Sequence, residues 1–594
     1  MPLGRTRIAG VVAGVAALAV ASVLAGGSAE AVSDGDGGAL TVRGTQLVDR
    51  HGREVVLRGF NVSGTAKLSE HGGRPFASVA DARRSATLMR QLTGANAVRF
   101  LLTWAAVEPA PGQFDDGYLR DVTAQLEPFL DQGFRVLLDF HQDLYSRHLF
   151  HAGSWYTGDG APEWVVAAGH YPREFCGICV QWGQNITQNA AVQNATYDFW
   201  HNRPLSTPDG TIGVQDAFLR QAGYALRYVR THLNASRFAR VVGVEPFNEP
   251  YAGRYDAGQD GLSWERDLLL PFYRTFLDRM DAAGWSDKPA FIEPGMYWNA
   301  NLDFVKQPGG FPGLGPLGPR FVFTAHFYDQ KALSGIFMWG KAGDGQYSGD
   351  FAALRDRATS LGTAGLVSEF GSPISGYTSD KSPTVLKAMY QALDSRLPSA
   401  SWWSRPATSG AVLSGTQWQW DIYSDRHHEL MNGNPESVKT AGDAWNGEDF
   451  SVFRGADELR LDPRLLNRVY PAAVDGRTLA FTYEDRSAGL TWNPVPATLP
   501  AVRALAGDRR YAVLVWRSGA GAAPTELHVP FSPVVVASPG TGVAVRDGTL
   551  RLSTSDPAGT LHWALVTEGA APPADQRAAA SVELARWAAA SFTP

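Results

Sequence analysis

The chain has 594 residues, of which 44% are hydrophobic and 19% charged, with 63 Gly, 36 Pro and 18 Trp. It is too long for one ordinary domain and too rich in apolar and aromatic side chains to be disordered. A formal charge of −6, from 53 basic and 59 acidic residues with no long basic run, excludes a nucleic-acid footprint, and two cysteines are too few for a disulfide scaffold. At the N-terminus, Arg5 and Arg7 precede an apolar run from Ile8 to Gly27, and Ala29-Glu30-Ala31 has the small-x-small pattern of a signal-peptidase site. Residues 1–31 therefore read as a signal peptide. The alternative is an uncleaved anchor, since the run is about long enough to span a bilayer. The mature chain is expected to be secreted, with contact to a membrane surface through its substrate.

After a Gly/Asp-rich linker over 32–39, the stretch from Leu40 to Ser63 reads as a lid hairpin, turned at Asp49-Arg50-His51-Gly52, followed by a first core strand. Apolar runs then recur at 55–63, 97–104, 134–143, 241–250, 290–295, 321–328, 365–372 and 415–423, with helical patterns such as 78–94 and 116–133 between them. Continuous apolar runs belong to strands buried on both faces, as in parallel sheets, and eight strand–helix repeats predict an α/β fold, a closed (β/α)8 TIM barrel over 40–460. Cys176 and Cys179 form a lone C-x-x-C; a local disulfide is expected over zinc or redox chemistry, for which supporting residues are missing. Beyond about residue 470 short alternating segments with Gly, Pro and Asp turns predict an antiparallel β-sandwich over 461–570. The tail, 571–594, carries an Ala-rich helical pattern that either docks weakly or stays mobile.

In a barrel of this kind, chemistry is built at the C-terminal ends of the strands. Polar residues collect there: Asn61, Arg99 with Trp104, His141 with Asp143, Asn248 with Glu249, Glu293, His326 with Tyr328, Glu369, and Trp418. Hydrolysis of an acetal needs one carboxyl that gives a proton to the leaving oxygen and one ionised carboxylate at the anomeric carbon. Glu249, ending the fourth run, and Glu369, ending the seventh, meet that need together. Either alone would ordinarily be a salt-bridged or solvated residue, the two histidines could be core residues, and Lys67 an ordinary surface charge. Trp418 and Trp420 alternate, so one should face the barrel mouth, and Trp418 is the expected sugar platform. Trp164 and Trp182 either flank the sugar or pack. The apolar stretches 309–318 and 335–340 could contact lipid or serve ordinary packing.

FNEP at 247–250, SEFG at 368–371, His326-x-Tyr328, Arg99 and Trp418 resemble glycoside hydrolase family 5. Lys67 within 61–72, DFHQDLYS at 139–146 and the C-terminal β domain resemble its endoglycoceramidase branch. The resemblance implies a retaining endo-β-glycosidase that splits glycan from ceramide in glycosphingolipids by double displacement, with Glu249 as acid/base and Glu369 as nucleophile. It implies substrate-binding roles for Lys67, Arg99, His141, Asp143, Asn248, His326, Tyr328 and Trp418. Arg99 and Tyr328 are expected to hold Glu369 ionised. No metal or organic cofactor is expected, and the default oligomeric state is a monomer. The alternatives are a polysaccharide endo-β-glucanase or mannanase of the same family, or a non-catalytic protein that binds glycan or lipid.

Overall fold

The computed structural model describes residues 38–67, 72–151, 156–171, 182–334, 341–374, 382–394, 412–421, 450–454, 457–487, 495–521 and 523–592. The signal-like segment 1–31, Cys176 with Cys179, and the apolar run 335–340 lie outside them.

Eight parallel strands close a barrel in chain order: Arg58–Val62, Ala97–Thr103, Arg135–His141, Val241–Glu245, Ala290–Ile292, Phe321–Tyr328, Gly365–Gly371 and Ser414–Gln417. They are called the first to the eighth barrel strand. Seven fall inside the apolar runs expected to form them. The eighth starts one residue early and ends at Gln417, so Trp418 and Trp420 follow the strand instead of alternating along it. Closure brings Thr416 beside Gly59, and Gly59 beside Ala97. A Cβ at Gly59 would sit 1.7 Å from the Ala97 carbonyl oxygen, so only glycine lets the first two strands pair there.

The helices around the barrel follow their local signals. Ser78 accepts from the Asp81 N–H at the start of helix Val79–Thr93, Gly94 closes it in a left-handed turn at φ 65°, and Ala82, Ala86 and Met89 form its buried stripe. Asp115 caps helix Asp116–Asp131 in the same way.

The C-terminal sheets are antiparallel. One has four strands, Arg477–Glu484, Tyr511–Arg517, Leu561–Glu568 and Pro533–Ala537 in spatial order. Side chains alternate along Tyr511–Arg517: Leu514 and Trp516 face the second sheet, while Tyr511, Val513 and Val515 face helices Pro500–Ala506 and Ala574–Phe592. The tail is thus a packed helix. Its Ala580, Leu584 and Ala588 are buried, and its Glu583 carboxylate accepts the Ala501 and Val502 N–H groups at 2.9 and 3.0 Å.

The second sheet departs from the expected division of the chain. Its seven strands include Thr41–Arg43, Gln46–Val48 and Glu54–Val55, the last paired with Tyr470–Val474. The segment expected to form a lid hairpin therefore extends the C-terminal sheet. The physical reason is edge pairing: the unpaired edge of Tyr470–Val474 offers the N-terminal hairpin a ladder that the closed barrel cannot.

Barrel and sandwich also share a buried ion network. Arg58 of the first barrel strand lies 3.1 Å from Asp394; Arg468 binds Asp394 at 3.2 Å and also Asp485; Lys387 binds Glu484 at 2.8 Å. Three cations meet three carboxylates, so removing one partner leaves a buried charge uncompensated. Arg468→Ala is expected to destabilise the protein by roughly 3–5 kcal/mol, read as a lower denaturant midpoint. An unchanged midpoint would show that the network adds nothing.

Candidate active site

Arg99, from the second barrel strand and fully buried, organises the floor of the mouth. Its Nε donates to Glu245 at 3.0 Å, its Nη2 to Asn248 Oδ1 at 2.7 Å, and its Nη1 to Glu369 Oε1 at 2.6 Å and Asn61 Oδ1 at 2.9 Å. Asp139 lies 3.0 Å away. Burial opposes this charge, but Asp139, Glu245 and Glu369 hold the guanidinium well above its ordinary value. Glu245 in turn is pulled far below the ordinary carboxylate range against the cost of its burial, chiefly by Arg99.

Glu369 receives two donors, Arg99 on Oε1 and the Tyr328 hydroxyl on Oε2 at 2.7 Å. Burial and the charges of Glu369 and Glu249 push the Tyr328 phenol well above its usual value, so it keeps the proton it donates. The expectation that these partners simply hold Glu369 ionised needs amendment. Burial pushes its carboxyl upward; His326 and Arg99 pull it back, and Glu249 adds to the rise. His326 bridges the two glutamates, with Nδ1 at 2.8 Å from Glu249 Oε1 and 3.4 Å from Glu369 Oε2. One oxygen each of Glu249 and Glu369 and a ring nitrogen of His326 all lie within 4.8 Å of one another.

Glu249 stands just beyond the fourth barrel strand with φ 45°, a left-handed conformation rare for a residue without a short polar side chain. It costs on the order of 1–3 kcal/mol and persists only where the surroundings hold it. Here the Glu249 N–H donates to Glu293 Oε1 at 3.1 Å, and Gln142 Nε2 donates to the Asn248 carbonyl at 2.8 Å. Asn248 Nδ2 returns a bond to the Gln142 carbonyl at 3.0 Å.

Residues 48–408 match the family model for cellulase, glycosyl hydrolase family 5. The chain belongs to glycosyl hydrolase family 5. It is a glycoside hydrolase, related to endoglycoceramidases and glucosylceramidases. Endoglycoceramidase I of Rhodococcus hoagii is 32% identical over 386 residues, 61% of this chain and 67% of that one. A glucosylceramidase of Aspergillus fumigatus is 34% identical over 257 residues, so the match spans 36% of this chain and about a third, 32%, of the relative's length. Two solved structures share the fold. Endo-glycoceramidase II from a Rhodococcus species, in a ganglioside GM3 complex, aligns over 89% of this chain and 100% of its own with TM-score 0.60 at 21% identity. Sterylglucosidase 1 of Cryptococcus neoformans aligns over 89% and 97% with TM-score 0.65 at 16% identity.

The remaining expected residues of this family 5 hydrolase form a second group in the mouth. Lys67 Nζ reaches Asp143 Oδ2 at 2.5 Å and sits 4.4 Å from the centre of the Trp418 ring. His141 lies parallel to Trp418 with ring centres 5.7 Å apart, and binds Asp139 through Nδ1 at 2.7 Å. Burial and Lys67 work against a charge on His141, yet Asp139 and Asp143 raise it to about 10. Trp418 is only 4% exposed, and Lys67 stands over its face. Trp420 packs inward, stacked on Phe453 at 4.6 Å. Trp164 donates to the Glu108 carbonyl at 3.0 Å and meets Trp104 edge-on, which is packing. In the stretch 309–318, Phe311 is buried against Tyr273, and its N–H and that of Gly310 go to the Glu265 carboxylate at 2.7 and 2.8 Å.

Among the described residues, three clusters carry the donor set of a metal site: His141 with Asp143 and Asp159; Glu245 with Glu293 and His326; Glu249 with His326 and Glu369. In each, a side-chain cation already faces the carboxylates: Lys67 at Asp143, Arg99 at Glu245 and at Glu369. Sequence reasoning did not single out Asp139, Gln142, Asp159 or Glu245. A signal existed for two: Asp139 and Glu245 are charges inside otherwise apolar strands, two and four residues before His141 and Glu249, and a buried charge there needs a partner. Asp159 gives no such signal. It bridges Asp143 through the backbone, and burial together with the Asp143 charge raises its carboxyl to about 8.

Proposed function

We propose that the chain is an exported retaining β-glycosidase that cleaves the bond between glycan and ceramide in glycosphingolipids. The observation that carries the mechanism is that one oxygen of Glu249 and one of Glu369 lie within 4.8 Å of each other, both facing His326 Nδ1. Retaining enzymes hold their carboxyls about 5–5.5 Å apart, whereas inverting ones leave roughly 6.5–9.5 Å for a water. Glu369 attacks the anomeric carbon as Glu249 gives its proton to the departing oxygen; the C–O bond to the aglycone breaks and a glycosyl ester forms on Glu369. Glu249 then takes a proton from water, the resulting oxygen bonds to the same carbon, and the ester bond to Glu369 breaks. Asn248 is oriented by Arg99 and Gln142 to hydrogen-bond the sugar 2-hydroxyl. Lys67, Asp143 and His141 supply donors and acceptors to further hydroxyls. His326 and Tyr328 hold the two carboxyls, and Trp418 backs Lys67 and His141 from behind.

The glycolipid substrate is supported by the relatives named for glycoceramide hydrolysis, and export by the basic, then apolar, N-terminal segment. Membrane contact is supported by apolar side chains near the mouth. Phe304, in the loop after the fifth barrel strand, is 75% exposed, the most among the large apolar side chains described. Tyr255, also exposed, reaches the same loop through Gln307 at 3.2 Å. Exposed apolar side chains of this kind insert naturally at a lipid headgroup boundary. Phe304→Ser is expected to lower turnover of glycolipid in vesicles about tenfold and to leave a soluble aryl glycoside unaffected. Equal losses on both would remove the membrane role.

Thin-layer analysis of products from ganglioside, glucosylceramide and carboxymethyl-cellulose, with NMR of the first anomer released, tests the proposal. Ceramide with a β-configured sugar is expected. An α-configured first product would rule out retention; action on the cellulose alone would favour the polysaccharide enzyme, and no action on any would favour a binding protein.

A further inference from the structure

We propose that Glu293, the buried residue immediately after the fifth barrel strand, is the positioning residue of the acid/base. One of its carboxyl oxygens holds the backbone of Glu249 and also faces the imidazole bonded to the Glu249 carboxyl.

Oε1 of Glu293 accepts the Glu249 N–H at 3.1 Å, at the point where that backbone is left-handed. The same oxygen lies 3.4 Å from His326 Nε2, while His326 Nδ1 lies 2.8 Å from Glu249 Oε1. Glu293 therefore meets Glu249 twice, once at the main chain and once through a single imidazole. His326 Nε2 is buried and closes no full hydrogen bond among the described residues, which leaves Glu293, and Glu245 at 3.7 Å, to balance its charge. Glu293 is itself pinned: the Tyr273 hydroxyl, from helix Leu270–Ala282, donates to its carbonyl at 2.7 Å.

The charged groups facing this unit come from every neighbouring strand. Glu293 faces His326 of the sixth strand, Glu245 of the fourth and Arg99 of the second; His326 also faces Glu249 and, from the seventh, Glu369. Burial pushes Glu293 well above the ordinary carboxylate range; His326 pulls against this and Glu245 reinforces it. Against its own burial, His326 is held well above an ordinary imidazole by Glu293 and Glu369. Glu293 and His326 thus share a proton across their 3.4 Å contact, beside the group that must deliver one to the leaving oxygen, and Glu293 brings the negative charge of the pair. An amide in place of Glu293 still accepts the Glu249 N–H but can neither share the His326 proton nor carry negative charge, so the field that holds protons on His326 and Glu249 weakens.

The inference rests on Glu249 being the acid/base, and the test separates the two. In Glu293→Gln, kcat on an aryl glucoside should fall about tenfold with KM within about twofold, and the basic limb of the kcat/KM profile should move about one pH unit lower. Tyr273→Phe, which loosens the same pocket and leaves the carboxyl, should lower thermal stability without moving the limb. If Glu293→Gln does not fold, Glu293→Asp replaces it: the charge remains but the arm is too short, so kcat should fall with the limb in place. A basic limb unmoved in Glu293→Gln, or moved equally in Tyr273→Phe, overturns the inference. The acid/base reading fails separately, if Glu249→Gln loses equal activity on good and poor leaving groups.

Discussion

Glu369→Gln is expected to lower kcat by at least about 10⁴-fold, more than 5 kcal/mol of barrier, on glycolipid and activated aryl glycoside alike. The amide keeps the shape, its oxygen can still accept from Arg99 and its NH2 can donate to the Tyr328 oxygen, so folding should survive, but it has no anionic oxygen to bond to carbon. Good leaving groups do not help, because every substrate must pass through the glycosyl ester. The wild type carries a related pH signature. Glu369 must be ionised to attack, and burial raises its carboxyl, with His326 and Arg99 limiting the rise. Activity should therefore be lost, as pH falls, at a value above the ordinary carboxyl pKa of about 4.5. Mass spectrometry after a 2-fluoro glycoside should find the label on Glu369. Activity retained in Glu369→Gln, or label elsewhere, would overturn the nucleophile.

Glu249→Gln is expected to behave differently because its loss depends on the aglycone. A ceramide alkoxide leaves poorly without a proton, so kcat/KM on glycolipid should fall about 10³–10⁴-fold. A dinitrophenyl glycoside, whose leaving group needs no proton, should form the ester at close to the wild-type rate and then stall, because no base activates the water. Added azide, a nucleophile that needs no base, should restore turnover and yield the β-glycosyl azide. An α-configured azide would indicate a direct displacement and sink the double displacement. The geometry behind this division is the His326 bridge, which touches Glu249 more closely than Glu369, 2.8 against 3.4 Å.

Much of the barrel was legible because a strand buried on both faces must be apolar along its length, whichever neighbours it has. Glu369 and Tyr328 were legible for a related reason: a polar residue towards the C-terminal end of such a run in this fold faces the mouth, whereas Arg99 is the third residue of its strand, below that end, and is a charge inside an apolar run. The eighth run was less legible. Its apolar residues continue past Gln417, and only closure on Gly59 and Phe60 shows where the strand stops. Trp418 was expected as an open platform, but Lys67 stands over its face, a contact between residues 351 positions apart by their numbers that no local pattern encodes.

Local patterns dictate what each segment must do with its own surface: eight runs too apolar to meet water, helices with caps and stripes, alternating C-terminal strands, and two glutamates at strand ends. Pairings between distant segments were decided only in the tertiary structure. The N-terminal hairpin joins the C-terminal sheet because backbone edges pair without regard to sequence distance. Glu293 meets Glu249 because barrel closure sets adjacent strand ends within hydrogen-bond reach. Local patterns record whether a side chain is buried; which charge waits for it inside is a property of the closed barrel, where a low dielectric makes every unmatched partner costly.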